Sequence, residues 1–176
     1  MQKSIKSSAI NYGIYLGLFM ALVSVLIYAI NLELVTKWWL GIILFLIVIG
    51  FGIVSTAKSK SLLGGYISFK EAFSSFFITI AIGTIISSIV GIILYNFIDP
   101  GAAEIIKEKV IETSTEMMQK FGAPQSEIDK AVAKMQEENQ FDILNQVKSL
   151  AFQLVFYAVI GLIVALSFKK TDPNAA

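Results

Sequence analysis

The sequence contains no cysteine, no histidine and no arginine. Without cysteine there is no disulfide, no thiolate-held zinc or iron–sulfur cluster and no thiol nucleophile. Without histidine the commonest general base and the commonest transition-metal ligand are missing. All 14 cationic side chains are lysines. Lysine lacks the planar fork that grips carboxylates, phosphates and guanine edges through two bonds. Charge is scarce as well: 15% of the 176 residues are charged and the formal net charge is +1. No field draws such a chain to nucleic acid, and no nucleic-acid partner is expected. Soluble domains carry about 25% charged residues. Here the deficit is matched by 56% hydrophobic residues and a mean hydropathy of +0.73. The chain reads as an integral membrane protein whose solvent is the bilayer.

Four apolar runs are long enough to span. A hydrocarbon core of about 30 Å needs about 20 helical residues, and residues 9–30 supply them with only Asn11 and Ser24 as interruptions. Lys3 and Lys6 precede this run as in a signal peptide. However, the run exceeds the usual apolar region of about 7–15 residues, and no convincing small-x-small cleavage site follows, so it reads as a retained helix. The short connection Asn31–Lys37 forces a tight antiparallel turn into a second span over 38–56. Trp38 and Trp39 suit the headgroup layer there, with Tyr28 at a similar depth. After a polar connection, Ser68-Phe69-Lys70-Glu71 fits a capping box and predicts a helix start near Phe69. The third span covers 72–98. Asp99 and Pro100 then mark a new helix: Asp accepts from free amides, and Pro fits the first turn. The fourth span, 147–168, closes on Lys169-Lys170, and Thr171–Ala176 reads as a frayed tail.

Between the third and fourth spans lies a soluble amphipathic pattern at about 100–140. Ile106, Val110, Met117 and Phe121 form one stripe, while Glu104, Glu108, Glu112 and Glu116 recur on another face. Gly122 and Pro124 stop that helix, and Ile128, Val132 and Met135 give a second one its apolar side. The fold expected over residues 1–176 is therefore a single all-α membrane domain. It has four transmembrane helices and an extramembrane helical hairpin between helices three and four. A hairpin of about 45 residues builds no sufficient core alone without disulfides or metal. Its stripes must bury against each other, the bilayer surface, a second copy or another protein. No repeat period appears, and the two halves share no pattern that marks an inverted repeat.

Orientation follows from lysine placement. With both termini inside, each side holds seven lysines, but the inner seven crowd into about half as many residues, hard against helix ends. The region between spans three and four carries six lysines against ten acidic residues, a net of −4. The termini are expected inside and the hairpin outside.

Small residues recur every fourth position in three spans: Ala9, Gly13, Gly17 and Ala21; Gly83, Ser87 and Gly91; Gly161 and Ala165. Such stripes let backbones approach closely, either between copies or partners or within the chain. No Asp, Glu or Lys lies mid-span, which disfavours ion-coupled transport. The intramembrane polar set is Ser24, Thr79, Thr84, Ser87, Ser88, Asn96 and Gln153. The acidic run of the hairpin lacks calcium-loop spacing and reads as a solvated face. No catalytic residue, metal ligand or cofactor is expected. Two functions remain. One is an accessory or scaffold subunit that binds another membrane protein; the other is a homo-oligomeric pore or carrier for a small neutral solute.

The stretch Leu63-Gly64-Gly65-Tyr66-Ile67-Ser68-Phe69-Lys70-Glu71-Ala72-Phe73 carries a G-G-x-I-S-F-x-x-A-F pattern at the start of the third helix. With Tyr95-Asn96-Phe97-Ile98-Asp99-Pro100 and Met117-Met118-Gln119-Lys120-Phe121-Gly122, it resembles the domain-of-unknown-function family numbered 4199, small four-span proteins of Bacteroidota. The resemblance covers almost the whole chain. It implies the inner (cytoplasmic) membrane of a Gram-negative bacterium; with the orientation read from the lysines, the termini are then expected in the cytoplasm and the hairpin in the periplasm. It transfers no catalytic or binding residue.

Overall fold

The computed structural model describes residues 2–171; the tail expected beyond Thr171 lies outside them. Six α-helices fill the described residues: α1 Gln2–Ile30, α2 Trp38–Leu62, α3 Phe69–Ile93, α4 Pro100–Lys120, α5 Gln125–Glu137 and α6 Ile143–Phe168. A 3-10 turn, Leu32–Thr36, joins α1 to α2, and a π turn, Leu94–Ile98, extends α3. Four segments are long and apolar enough to cross a bilayer: Ser4–Ile30, Trp38–Leu62, Phe69–Ile98 and Ile143–Phe168. The chain is a multi-pass membrane protein.

Helix ends follow breakers rather than hydropathy. The second span was expected to end near Thr56, but α2 runs on to Leu62. Lys58, Ser59 and Lys60 are polar without being breakers. The first obstacles are Gly64 and Gly65, with φ of 74° and 91°, a conformation glycine adopts at no steric cost. For the same reason α1 starts at Gln2 rather than near residue 9, and α6 at Ile143 rather than 147. At the start of α3, the Ser68 side chain accepts from the Glu71 amide, and the Glu71 carboxylate accepts from the Ser68 amide. Changing Ser68 to Ala is expected to lower stability by about 1 kcal/mol, the usual worth of a serine cap. Amide exchange should accelerate in the first turn of α3 and not in its centre.

Helix α3 is the centre of the bundle. It packs closely on α1, α2 and α6, whereas the α2 and α6 backbones stand further apart and meet through side chains, Phe45 against Phe156 and Tyr157 among them. Glycine permits the close approaches. A Cβ at Gly13 or Gly17 would meet Ile82 or Ile86 of α3 at 2.8 and 2.7 Å, and one at Gly83 would meet Leu16 of α1 at 2.6 Å. The ring of Phe76, fully buried, lies between Gly52 of α2 and Gly161 of α6. Leu16, Val48, Ile80 and Tyr157 complete this core. Lipid contacts do not drive helices together by hydrophobicity, so packing and hydrogen bonds must do it.

A buried hydroxyl node supplies those bonds. Ser55 and Ser59 lie one turn apart on α2, facing Ser75 and Thr79 on α3. Thr79 Oγ1 lies 2.7 Å from Ser55 Oγ and 3.0 Å from the Ala9 carbonyl of α1, and the hydroxyls of Ser59 and Ser75 bond each other. Three helices are thereby tied at one depth. At the lysine-rich end, Ile67 and Lys170 exchange backbone bonds of 3.0 and 2.9 Å. Lys60 Nζ donates to the Phe168 carbonyl at 2.9 Å, placing a cation at the negative end of α6.

Candidate functional site

Because the α2 and α6 backbones stand apart, a cleft remains between them with α3 as its floor, bridged by the stacked rings of Phe45 and Tyr157. A cavity of about 350 Å³ occupies the cleft, and one of about 300 Å³ adjoins it towards the start of α6. The two share Ser88 and Gln153. The deeper cavity has apolar walls from Leu16, Leu44, Phe45 and Val48, with Thr84, Ser87 and the Tyr157 ring among them. The shallower one is polar: Gln140, Gln146, Ser149 and Gln153 contribute. No charged side chain lines either of them. Some of the polar groups are already engaged: the Thr84 hydroxyl donates to the Ile80 carbonyl at 2.8 Å, and the Gln146 amide to the Phe141 carbonyl at 2.6 Å.

The small-residue positions divide between two environments. Gly13, Gly17, Gly83 and Gly161 lie in contacts within this chain. Ala21 is half-buried on α1, Gly91 faces Gln146 of α6, and Ser87 lines the deeper cavity. Gly41, which belongs to no small-residue stripe, also lines that cavity, and a Cβ there would meet nothing within 4 Å. Ser55 and Ser75 lie near the ends of the second and third spans and Ser59 in the polar connection, and none belongs to the intramembrane polar set expected from the sequence. Their i,i+4 spacing on two adjacent helices was the available signal.

Helices α4 and α5 fold back on each other, with Lys107 Nζ donating to the Gln136 carbonyl at 2.8 Å. The base of α4 is anchored. Asp99 Oδ1 accepts from the Ala102 amide at 3.0 Å, its Oδ2 accepts from the Tyr28 hydroxyl at 3.0 Å, and Pro100 occupies the first turn. Ala102, Ala103 and Ile106 are buried beside the 3-10 and π turns. Lys109 lies 3.1 Å from Glu112 and 3.5 Å from Glu33. The hydrogen bond and charge of Glu112, with Glu33 behind, hold its ammonium above the ordinary lysine range.

The stripes of α4 and α5 meet only in part. Ile128 is buried, and Val110, Val132 and Met135 are half-buried between the two helices. Met117 and Phe121, by contrast, are 51% and 84% exposed at the far end. Among the described residues no three Asp or Glu side chains gather closely enough to hold a metal ion.

No curated protein and no solved structure matches the chain. A family does, and over the four spans and the α4–α5 insertion together. The chain belongs to the family described as Protein of unknown function (DUF4199), which matches residues 11–170.

Proposed function

We propose that the protein is a non-enzymatic accessory or scaffold subunit of the bacterial inner membrane, which binds another membrane protein through the tip of its α4–α5 hairpin. The observation that carries this reading is the exposure of Met117 and Phe121 at the far end of a hairpin whose base is anchored. An exposed Phe next to an adaptable Met suits a partner surface. Lysines gather where α1 starts, α2 ends and α6 ends, at Lys6, Lys58, Lys60, Lys169 and Lys170. That bias supports cytoplasmic termini and a periplasmic hairpin. The absence of His, Cys and Arg from the sequence removes the side chains most enzymes rely on.

The alternative, a homo-oligomeric pore or carrier for a neutral solute, draws less support. The polar lining of the cleft ends against Leu16 and Val48, which belong to the sealed core with Phe76 and Ile80. A single copy holds a blind cleft rather than a path across.

The test is purification of the tagged full-length chain from native membranes in mild detergent, with mass spectrometry of what accompanies it. A stoichiometric second membrane protein should be retained by the parent and lost from a Met117→Glu/Phe121→Glu variant. Both side chains point away from the fold, so elution and melting of that variant should match the parent. Loss of no partner on introducing both charges would sink the proposal. Recovery of the protein alone, as a defined oligomer, would instead move the weight to the pore.

A further inference from the structure

We propose that the cleft between α2 and α6 is a binding site for an uncharged single-chain amphiphile, with a head rich in hydroxyl and carbonyl groups, such as a monoacylglycerol. This site lies within the bundle and involves neither the hairpin tip nor a protein partner.

Polarity is zoned along the cleft in the sense such a molecule requires. With a rise of about 1.5 Å per residue, Gln146 lies about 5 Å and Gln153 about 15 Å from the start of α6 at Ile143. The end nearer the helix start presents Gln140, Ser149 and the two other glutamines. The deeper cavity presents Leu16, Leu44, Phe45 and Val48 beside Ser87 and Ser88, with the Thr84 hydroxyl turned back to the Ile80 carbonyl. Primary amides and hydroxyls both donate and accept, so they match a head of hydroxyls and an ester carbonyl. No lysine lines the cleft, and a phosphate head would find no countercharge there. Each cavity falls within the roughly 300–1,000 Å³ typical of small-molecule sites.

Gly41 strengthens the case. Glycine is a poor helix former, and five other helical glycines of this chain are explained by a neighbour within 3 Å. Gly41, like Gly50 and Gly91, has no such close neighbour, but of these three only Gly41 lines the deeper cavity. Its missing side chain keeps the wall of the deeper cavity open. Gln153 is the second sign: its exposed amide lies well inside a span, and the hydrogen bond it shares with the Tyr157 hydroxyl uses only part of its capacity. A ligand head that reaches it from the shallow cavity uses the rest.

The experiment uses the full chain in phosphatidylcholine nanodiscs and a monoolein analogue with a photoreactive diazirine on its chain. Cross-links should concentrate on cleft residues such as Leu44, Phe45 and Val48. Unlabelled monoolein should compete, and lysophosphatidylglycerol with the same oleoyl chain should not. Gly41→Leu, which fills the cavity, should reduce saturable labelling about tenfold or more, the effect of losing one good interaction. Gln153→Leu should do the same by removing the head's partner, and both variants should elute and melt like the parent. Three results would each overturn the assignment. They are labelling spread evenly over the lipid-facing Phe152, Val159 and Ile163, equal competition by the charged lipid, and unchanged labelling of Gly41→Leu.

Discussion

Replacing Gly83 by leucine is expected to prevent assembly of the bundle, while the same change at Gly50 should be tolerated. A Cβ at Gly83 would lie 2.6 Å from Cγ and Cδ2 of Leu16 and 3.0 Å from its Cβ. Rotating Leu16 moves the first two atoms but not the third, so α1 and α3 must separate. That separation opens the contact that buries Leu16 and Ile80 completely. Overpacking costs about 1–3 kcal/mol where the surroundings yield, and more where backbone must shift. In a chain of this size each kcal/mol is about 2–4 °C of melting temperature. A loss of at least ~6 °C, with most of the protein in the void volume of a gel-filtration column, is the expected outcome. At Gly50 an added Cβ meets nothing within 4 Å, and leucine is the better helix former. Trimming Leu16 to Ala in the Gly83→Leu background should restore part of the loss, since the two residues share one volume. A Gly83→Leu protein that elutes and melts like the parent would mean that α1 and α3 do not pack at this distance.

Much of this architecture can be read directly from hydropathy and caps. Ser68, Asp99 and Pro100 signal helix starts through local chemistry, and the apolar runs announce themselves by length. What hydropathy misplaces are the helix ends. Lys3, Lys6, Lys58 and Lys60 lower the running mean without interrupting the backbone ladder, so α1 and α2 extend past the apolar limits. The π turn at Leu94–Ile98 has no residue signature in the chain. It closes with the Asp99 amide on the Leu94 carbonyl at 2.8 Å, one residue further back than an α-helical bond would reach.

The cleft was harder to see, for a physical reason. Whether a small residue serves contact or space depends on what stands opposite, and sequence alone does not give that. Gly13 and Gly41 are the same residue in similar spans, yet one is pressed on Ile82 and the other borders a cavity. Likewise Ser75 and Ser88 are both serines on α3. The first is sealed in the hydroxyl node and the second lines open space. What separates these cases is which neighbour stands opposite, Ile82 or open space, Ser59 or the cleft, and that is a property of the assembled bundle.

Changing Asp99 to Ala should detach the base of the hairpin without unfolding the spans. The carboxylate does two jobs at once: one oxygen caps α4 through the Ala102 amide, and the other accepts from the Tyr28 hydroxyl of α1. Loss of a helix cap costs about 1 kcal/mol, and loss of a hydrogen bond to a charged group about 1.5–3. Because both act through one side chain, a total of about 2–4 kcal/mol is expected for the local opening of α4 rather than a simple sum. The Lys109–Glu33 pair, 37% and 51% exposed, is worth at most about 1 kcal/mol and cannot replace it. Amide exchange should therefore rise strongly over the first turns of α4, while Phe76, Thr79 and Ile80 in α3 stay protected. Asp99→Asn, which keeps a capping oxygen, and Tyr28→Phe, which removes only the phenol, should each show a smaller rise. Equal loss of protection in α3 would mean that hairpin and bundle open as one unit, and the anchoring argument would fail. If the tip of the hairpin binds a partner, Asp99→Ala should also weaken that capture although Met117 and Phe121 are untouched. A surface held in place before binding need not be ordered at the moment of contact.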